Sequence, residues 1–143
     1  MSDIVLVERR PTVDELISLR ARAGLSPKSP EAAARGIAGT LYAVVLTLGG
    51  EAIGMGRVIG DGGTAYQIVD MAVLPEQQGQ GFGKRIMAAL VGWLEREAPP
   101  TAYVSLIADG PAKHLYAQFG FADVAPNSIG MGMLIRPAAP DHA

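Results

Sequence analysis

Three runs rich in β-forming residues, Leu41 to Leu48, Ala52 to Ile59 and Ala65 to Leu74, are punctuated by Gly49-Gly50 and by Asp61-Gly62-Gly63. Glycine takes the positive φ angles that tight hairpins require, so this spacing predicts an antiparallel meander of three consecutive strands. A sheet built that way needs helices to cover its apolar faces, and the flanking sequence supplies them. Thr12-Val13-Asp14-Glu15 reads as a capping box, followed by an apolar stripe at Leu16, Leu19 and Ala23 that Gly24 stops. Ser29-Pro30-Glu31 opens a second, short helix ending near Gly36. From Lys84 to Glu97, Ile86, Met87, Leu90, Val91 and Leu94 recur at helical spacing before Pro99-Pro100 ends the run.

Outside this block, Ile4 to Val7 suits a first strand and Tyr103 to Ala108 a buried one. A helix from Ala112 to Phe119 follows Gly110-Pro111 and stops at Gly120. Two more strands are expected at Phe121 to Ala125 and Met131 to Arg136, with a frayed tail from Pro137. The 143 residues fit a single domain over 1–137, with 138–143 as tail and no internal repeat. With 49% hydrophobic and 18% charged residues the chain is expected to fold unaided.

Charge and cysteine content remove whole classes of chemistry. A formal charge of −2 gives no general attraction to nucleic acid. The chain has no cysteine, so disulfides, thiolate metal sites and cysteine nucleophiles are excluded. His114 and His142 stand without a carboxylate cluster at ligand spacing, and no metal is expected. The early acid Asp3, a four-residue apolar stretch and the lack of any run near about eighteen apolar residues lead to an expectation of a cytoplasmic protein without membrane contact.

The chemistry concentrates in Leu74-Pro75-Glu76-Gln77-Gln78-Gly79-Gln80-Gly81-Phe82-Gly83-Lys84. Alternating glycines opening into a helix expose backbone N–H groups beside the positive end of the helix dipole, and Lys84 adds a cation. The same glycines also suit a plain tight connection. A Walker A loop does not fit, because Gln78 stands where its first glycine belongs and Arg85 where Ser or Thr belongs. The dinucleotide fingerprint does not fit either, because the spacing is G-x-G-x-G and the loop follows a meander.

Gln78-Gly79-Gln80-Gly81-Phe82-Gly83 resembles the Q/R-x-x-G-x-G/A signature of the GNAT superfamily of acyl-CoA-dependent N-acetyltransferases. Met71-Ala72-Val73-Leu74-Pro75 and Ala112-Lys113-His114-Leu115-Tyr116-Ala117-Gln118-Phe119-Gly120-Phe121 are similar to that family in order and spacing. The resemblance implies a mixed α/β (α+β) fold, with a mostly antiparallel sheet of about six or seven strands, a splayed central pair and helices on both faces. It also implies acetyl-CoA as cosubstrate, its pyrophosphate on the main-chain amides of Gln78 to Lys84 and its pantetheine paired with Met71, Ala72 and Val73. Lys113, with Lys84 or Arg85, becomes a candidate for the ribose phosphate. Asp109 stands where many relatives carry a pantetheine-bonding asparagine, and an ionised carboxylate accepts without donating.

The implied reaction is direct attack of a neutral amine on the thioester, with Tyr116 as candidate general acid because a phenol of pKa about 10 carries its proton at neutral pH. Deprotonating an alkylammonium of pKa about 10.4 at pH 7 costs on the order of 4 to 5 kcal/mol. Some relatives place a basic glutamate on the third meander strand; Gln67 occupies that position and offers at most a water relay. Asp70 is the nearest carboxylate, but strand alternation puts it opposite Gln67 and Val69 unless a bulge intervenes.

Acceptor recognition is expected from the first two helices, their Leu25-Ser26-Pro27-Lys28 connection and the final strands around Asn127 to Met133. Met131 and Met133 are candidates for an apolar pocket, and Glu31, Glu51 and Asp61 for attracting a cation. A small-molecule amine is the expected acceptor. The alternatives are a protein N-terminus or lysine, or an acyl-CoA-binding regulatory domain without turnover. Many relatives are dimers, which keeps a homodimer open.

Overall fold

The computed structural model describes residues 3–135. Five strands and four helices follow in order: β1 (Ile4–Val7), α1 (Val13–Arg22), α2 (Pro30–Ala38), β2 (Tyr42–Leu48), β3 (Glu51–Gly60), β4 (Ala65–Val73), α3 (Phe82–Glu97), β5 (Tyr103–Ser105) and α4 (Ala112–Ala117). Local chemistry sets these starts. Thr12 Oγ1 accepts from the Glu15 N–H at 3.1 Å, and the Glu15 carboxylate accepts from the Thr12 N–H at 2.9 Å, completing the capping box of α1. Ser29 Oγ accepts from the Ala32 N–H at 3.1 Å, and Pro30 occupies the first turn of α2.

The sheet runs β1-β2-β3-β4-β5. β1 to β4 are antiparallel neighbours, as the glycine turns require, and β5 joins β4 in parallel. Helices cover both faces, because adjacent residues of a strand point opposite ways. A Cβ added at Gly56 would meet Ile86 and Leu90 of α3, while the Arg57 guanidinium reaches the Gly36 carbonyl of α2. Ile86, Met87 and Leu90 of α3 are fully buried against this sheet with Val44, Leu46 and Val58. Trp93 stacks on Tyr42 at 5.3 Å and meets Tyr66 edge-on at 6.4 Å.

The β3–β4 ladder contains one irregularity. Val69 faces Arg57 and Ala72 faces Met55, so Asp70 and Met71 together oppose Gly56. This is a β-bulge, and Asp70 takes a left-handed φ of 56° there. The bulge reverses the alternation. Tyr66 lies against Trp93 of α3, and Met71, one position late, also faces α3 beside Gly56. Asp70 instead joins the α1–α2 face.

Two expectations are corrected. The sheet has five strands among the described residues, not six or seven, because Phe121 to Ala125 and Met131 to Ile135 form no strand; Arg136 and the tail lie outside the described residues. Their alternating pattern is strand-like, but a strand exists only when a neighbour satisfies its backbone, and none does here. Likewise, the strand expected through Ala108 is only Tyr103–Ser105, because β4 and β5 pair solely at Ala65–Tyr103, Tyr66–Val104 and Gln67–Ser105.

Sheet and α3 pack tightly at Gly56, where an added Cβ would lie 2.8 Å from both Leu90 Cδ1 of α3 and Met71 Sδ of β4. Gly56→Ala is therefore expected to destabilise the protein by about 1 to 3 kcal/mol through overpacking. Denaturant unfolding followed by Trp93 fluorescence should show a lowered midpoint with an unchanged slope.

Candidate active site

The site begins where β4 and β5 part. Beyond Gln67 no register pair joins them, although β4 continues to Val73. A cavity of about 1110 Å³ opens there. Its walls are Met71, Ala72 and Val73 of β4, the glycine loop, Asp109, Tyr116 of α4 and the α1–α2 connection at Gly24, Leu25 and Ser26. Sequence positions distant in the chain thus meet around one opening.

The glycine loop presents main-chain donors to this cavity. Gly79 and Gly81 are left-handed, at φ 80° and 82°, and Gly81 caps α3 without any side-chain hydrogen bond. Among the described residues, no acceptor takes the N–H groups of Gly79, Gln80, Gly81, Phe82, Gly83 or Lys84; the helix's bonding begins with Arg85 N–H to the Gly81 carbonyl at 3.1 Å. Six adjacent free donors at a helix N-terminus form an anion cradle. The Gln78 N–H is already bonded to the Pro75 carbonyl at 3.3 Å, and its side chain donates to the Val73 carbonyl at 3.0 Å. Gln78 therefore ties the loop to the end of β4.

Tyr116 is almost fully buried, yet its hydroxyl has no hydrogen-bond partner among the described residues and lies in the cavity wall. Burial raises its pKa above the usual tyrosine range, and the negative charge of Asp109 adds to the rise. The phenol is accordingly a protonated, unengaged donor at any physiological pH.

Asp70 is placed differently from a free base. Its Oδ1 accepts from Arg20 at 2.6 Å and its Oδ2 from Arg57 Nε at 2.7 Å, all three side chains being nearly buried. Arg20 also donates to the Ser26 carbonyl and hydroxyl at 2.8 to 3.0 Å. Arg57 donates to the Gly36 carbonyl at 3.0 Å and the Thr40 hydroxyl at 2.8 Å. Both carboxylate oxygens are thus engaged in charge-assisted hydrogen bonds.

Other candidates stand apart. Gln67 is held between Ile59 of β3 and Ser105 of β5 and does not line the cavity. Gln80 and Lys113 are exposed and outside its wall, whereas Lys84 lines it. Met131 and Met133, 88% and 86% exposed, do not line this cavity. Glu31 and Glu51 are surface residues. Asp61 caps its own turn, and donors from Ala65, Gly63 and Thr64 lower its pKa to about 2. His114 is exposed, and His142 lies outside the described residues. No cluster of His, Asp or Glu suited to a metal occurs among the described residues.

The sequence reading missed the Arg20–Asp70–Arg57 network. One signal was available: Arg20 falls on the α1 stripe four residues after Leu16, where a charge needs a buried partner.

Residues 30–123 match the family model described as an acetyltransferase (GNAT) domain. The chain belongs to the GNAT acetyltransferases. Among solved structures, this GNAT chain is 44% identical to a protein of unknown function, named a probable acetyltransferase, from meticillin-resistant Staphylococcus aureus; the match covers 93% of this chain and 100% of that one, with a TM-score of 0.89. It shares its fold with glucosamine-6-phosphate N-acetyltransferase from Arabidopsis thaliana at 18% identity, covering 92% and 99% of the chains with a TM-score of 0.68. It also shares it with a predicted acetyltransferase from Clostridium acetobutylicum whose structure was determined with acetyl-CoA, at 17% identity, 92% and 96% coverage and a TM-score of 0.69. No curated protein matches the sequence.

Asp70→Asn should leave two guanidiniums sharing a neutral amide in a nearly buried site, at a cost of about 3 to 5 kcal/mol in stability. Chemical denaturation measures this. Stability equal to the parent would show that the carboxylate does not hold the bulge.

Proposed function

We propose that this GNAT domain is an N-acetyltransferase that moves an acetyl group from acetyl-CoA to a primary amine of a small molecule, by direct attack in a ternary complex. The observation that carries the reading is the run of unpartnered amides from Gly79 to Lys84, in which Gly79, Gly81, Phe82, Gly83 and Lys84 line the same cavity as the open edge of β4 and Tyr116. The residues fit the coenzyme. Gly79 and Gly81 have nothing within 4 Å of an added Cβ, so a bulky anion has room to approach the main chain.

When bound, acetyl-CoA supplies the activated thioester. The loop amides and Lys84 would hold its diphosphate, and main-chain groups of Met71 and Ala72 would take its pantetheine amides as an added strand would. The Val73 carbonyl already accepts from the Gln78 side chain, which favours pairing at the two residues before it. Tyr116 holds a proton at Oη for the departing sulfur, the role that its raised pKa and free hydroxyl suit.

On the acceptor side, Leu25 and Ser26 form the wall of the cavity provided by the α1–α2 connection. The carboxylates in the wall are Asp70, committed to its two arginines, and Asp109, beside Tyr116. The amine therefore enters this mechanism already neutral, and desolvation in the half-apolar cavity favours that form.

Three measurements test the reading. Calorimetric titration should show coenzyme A binding to the parent and its loss in Gly81→Val, which forces a branched side chain to φ 82°, while circular dichroism shows α3 retained. Coenzyme A release across a panel of small amines and N-terminal peptides then identifies the acceptor; binding without release for every acceptor would support a regulatory domain, and release with peptides alone a protein acetyltransferase. In Tyr116→Phe, kcat should fall about 100-fold with coenzyme affinity unchanged. Equal losses in both would remove Tyr116 from the acid role.

A further inference from the structure

The Arg20–Asp70–Arg57 network is out of charge balance. Two guanidiniums share one carboxylate, and Asp70 is the only acid paired with either among the described residues. Their remaining partners are neutral: the Ser26 carbonyl and hydroxyl for Arg20, the Gly36 carbonyl and the Thr40 hydroxyl for Arg57. The three side chains therefore carry an uncompensated positive charge, although none is more than 10% exposed. Excess charge so far from water is costly, and a counter-charge relieves that cost. Arg20 and Asp70 line the large cavity, which is where a counter-charge can approach them.

The same wall holds donors without acceptors. A guanidinium has five N–H groups in a fixed fork. In Arg20, Nε and Nη2 donate to Ser26 and Nη1 gives one hydrogen to Asp70; the second hydrogen of Nη1 has no acceptor among the described residues. Ser26, an exposed residue of the cavity wall, adds two more donors. Its Oγ accepts from Arg20 at 3.0 Å, which turns the hydroxyl proton away from the guanidinium. Neither that proton nor the Ser26 N–H has an acceptor among the described residues. Free donors beside an unbalanced guanidinium suit an oxyanion, because hydrogen bonds from such groups to carboxylate or phosphate are charge-assisted.

We propose that Arg20 and Ser26 seat an anionic group of the acceptor, so that the molecule acetylated is an amine that also bears a carboxylate or a phosphate. This inference rests on the acetyl-transfer reading of the cavity and narrows its substrate class. The polarity of the cavity suits such a molecule. Asp109, which has no cation partner among the described residues, places negative charge beside Tyr116, whereas the positive excess lies at the α1–α2 connection. An amine directed at the thioester and an anion directed at Arg20 each meet the opposite sign. Lys84, the other cation lining the cavity among the described residues, stands on the glycine loop and is left for the coenzyme diphosphate.

Matched acceptors test the seat. Coenzyme A release is measured for amino acids against their carboxamides, and for aminoethyl phosphate against ethanolamine. The anionic member of a pair should have the higher kcat/KM by at least about 10-fold, the worth of one charge-assisted hydrogen bond, and the pair that shows it tells carboxylate from phosphate. Ser26→Asp, which fixes a carboxylate in the seat on an exposed connection, should abolish that preference. Equal use of both members, preference for the uncharged ones, or a preference that survives Ser26→Asp would overturn the proposal. A second measurement needs no turnover. With coenzyme A saturating the glycine loop, inorganic phosphate or acetate at constant ionic strength should raise the melting temperature of the parent and not that of Ser26→Asp. No shift from either anion also overturns the seat. The shift without coenzyme A release from any amine would keep the seat and sink acetyl transfer, and release from uncharged amines without the shift would do the reverse.

Discussion

One carboxylate shared by two guanidiniums shapes the centre of this molecule. Asp70 occupies a left-handed backbone position inside a strand, a conformation unfavourable for most side chains but tolerated by aspartate, and it is held there by Arg20 from α1 and Arg57 from β3. The extra residue at the bulge changes the direction of β4 after Val69. β5 follows β4 for only three residues, and the cavity lies where the two separate. The arginines also fasten Ser26, Gly36 and Thr40, so the connection forming one wall of the cavity is tied to the bulge forming its floor. In a nearly buried setting, such pairing is less a source of net stability than a device for fixing one arrangement, because each charge is costly without the others.

Around that centre the parts converge without a metal-binding cluster among the described residues. The left-handed glycines release a row of amides, α3 adds its dipole, and α4 brings a phenol whose proton is retained by burial. Each contribution comes from a different element, and each faces the cavity because sheet and helices are packed around one bulge. The GNAT family membership of the chain follows from residues 30–123, which include the meander, the glycine loop, α3 and α4.

The meander, both early caps and the amphipathic α3 were legible in the sequence because they are local: glycine turns, a Thr-x-x-Glu box and helical spacing act within a few residues. The glycine loop was legible too, since its chemistry lies in the backbone that glycine exposes. Asp70 was harder to read. Period-two alternation assigned it the wrong face, and only the ladder register between Val69–Arg57 and Ala72–Met55 reveals the extra residue. Arg20 and Arg57 are paired over 50 and 13 positions with Asp70, distances at which no periodicity speaks. The last two expected strands failed for a related reason, because pattern records the preference of a segment and not the presence of a neighbour to pair with.

Gly83 carries a final consequence. A side chain there would press on Leu115, with an added Cβ only 3.3 Å from its Cδ2, so α4 rests directly on the first turn of α3. The residue after Leu115 is Tyr116, and the residues before Gly83 are the amide cradle. The phenol and the anion seat are thus mounted on touching turns, so their spacing is set by one helix-to-helix contact and not by the sheet.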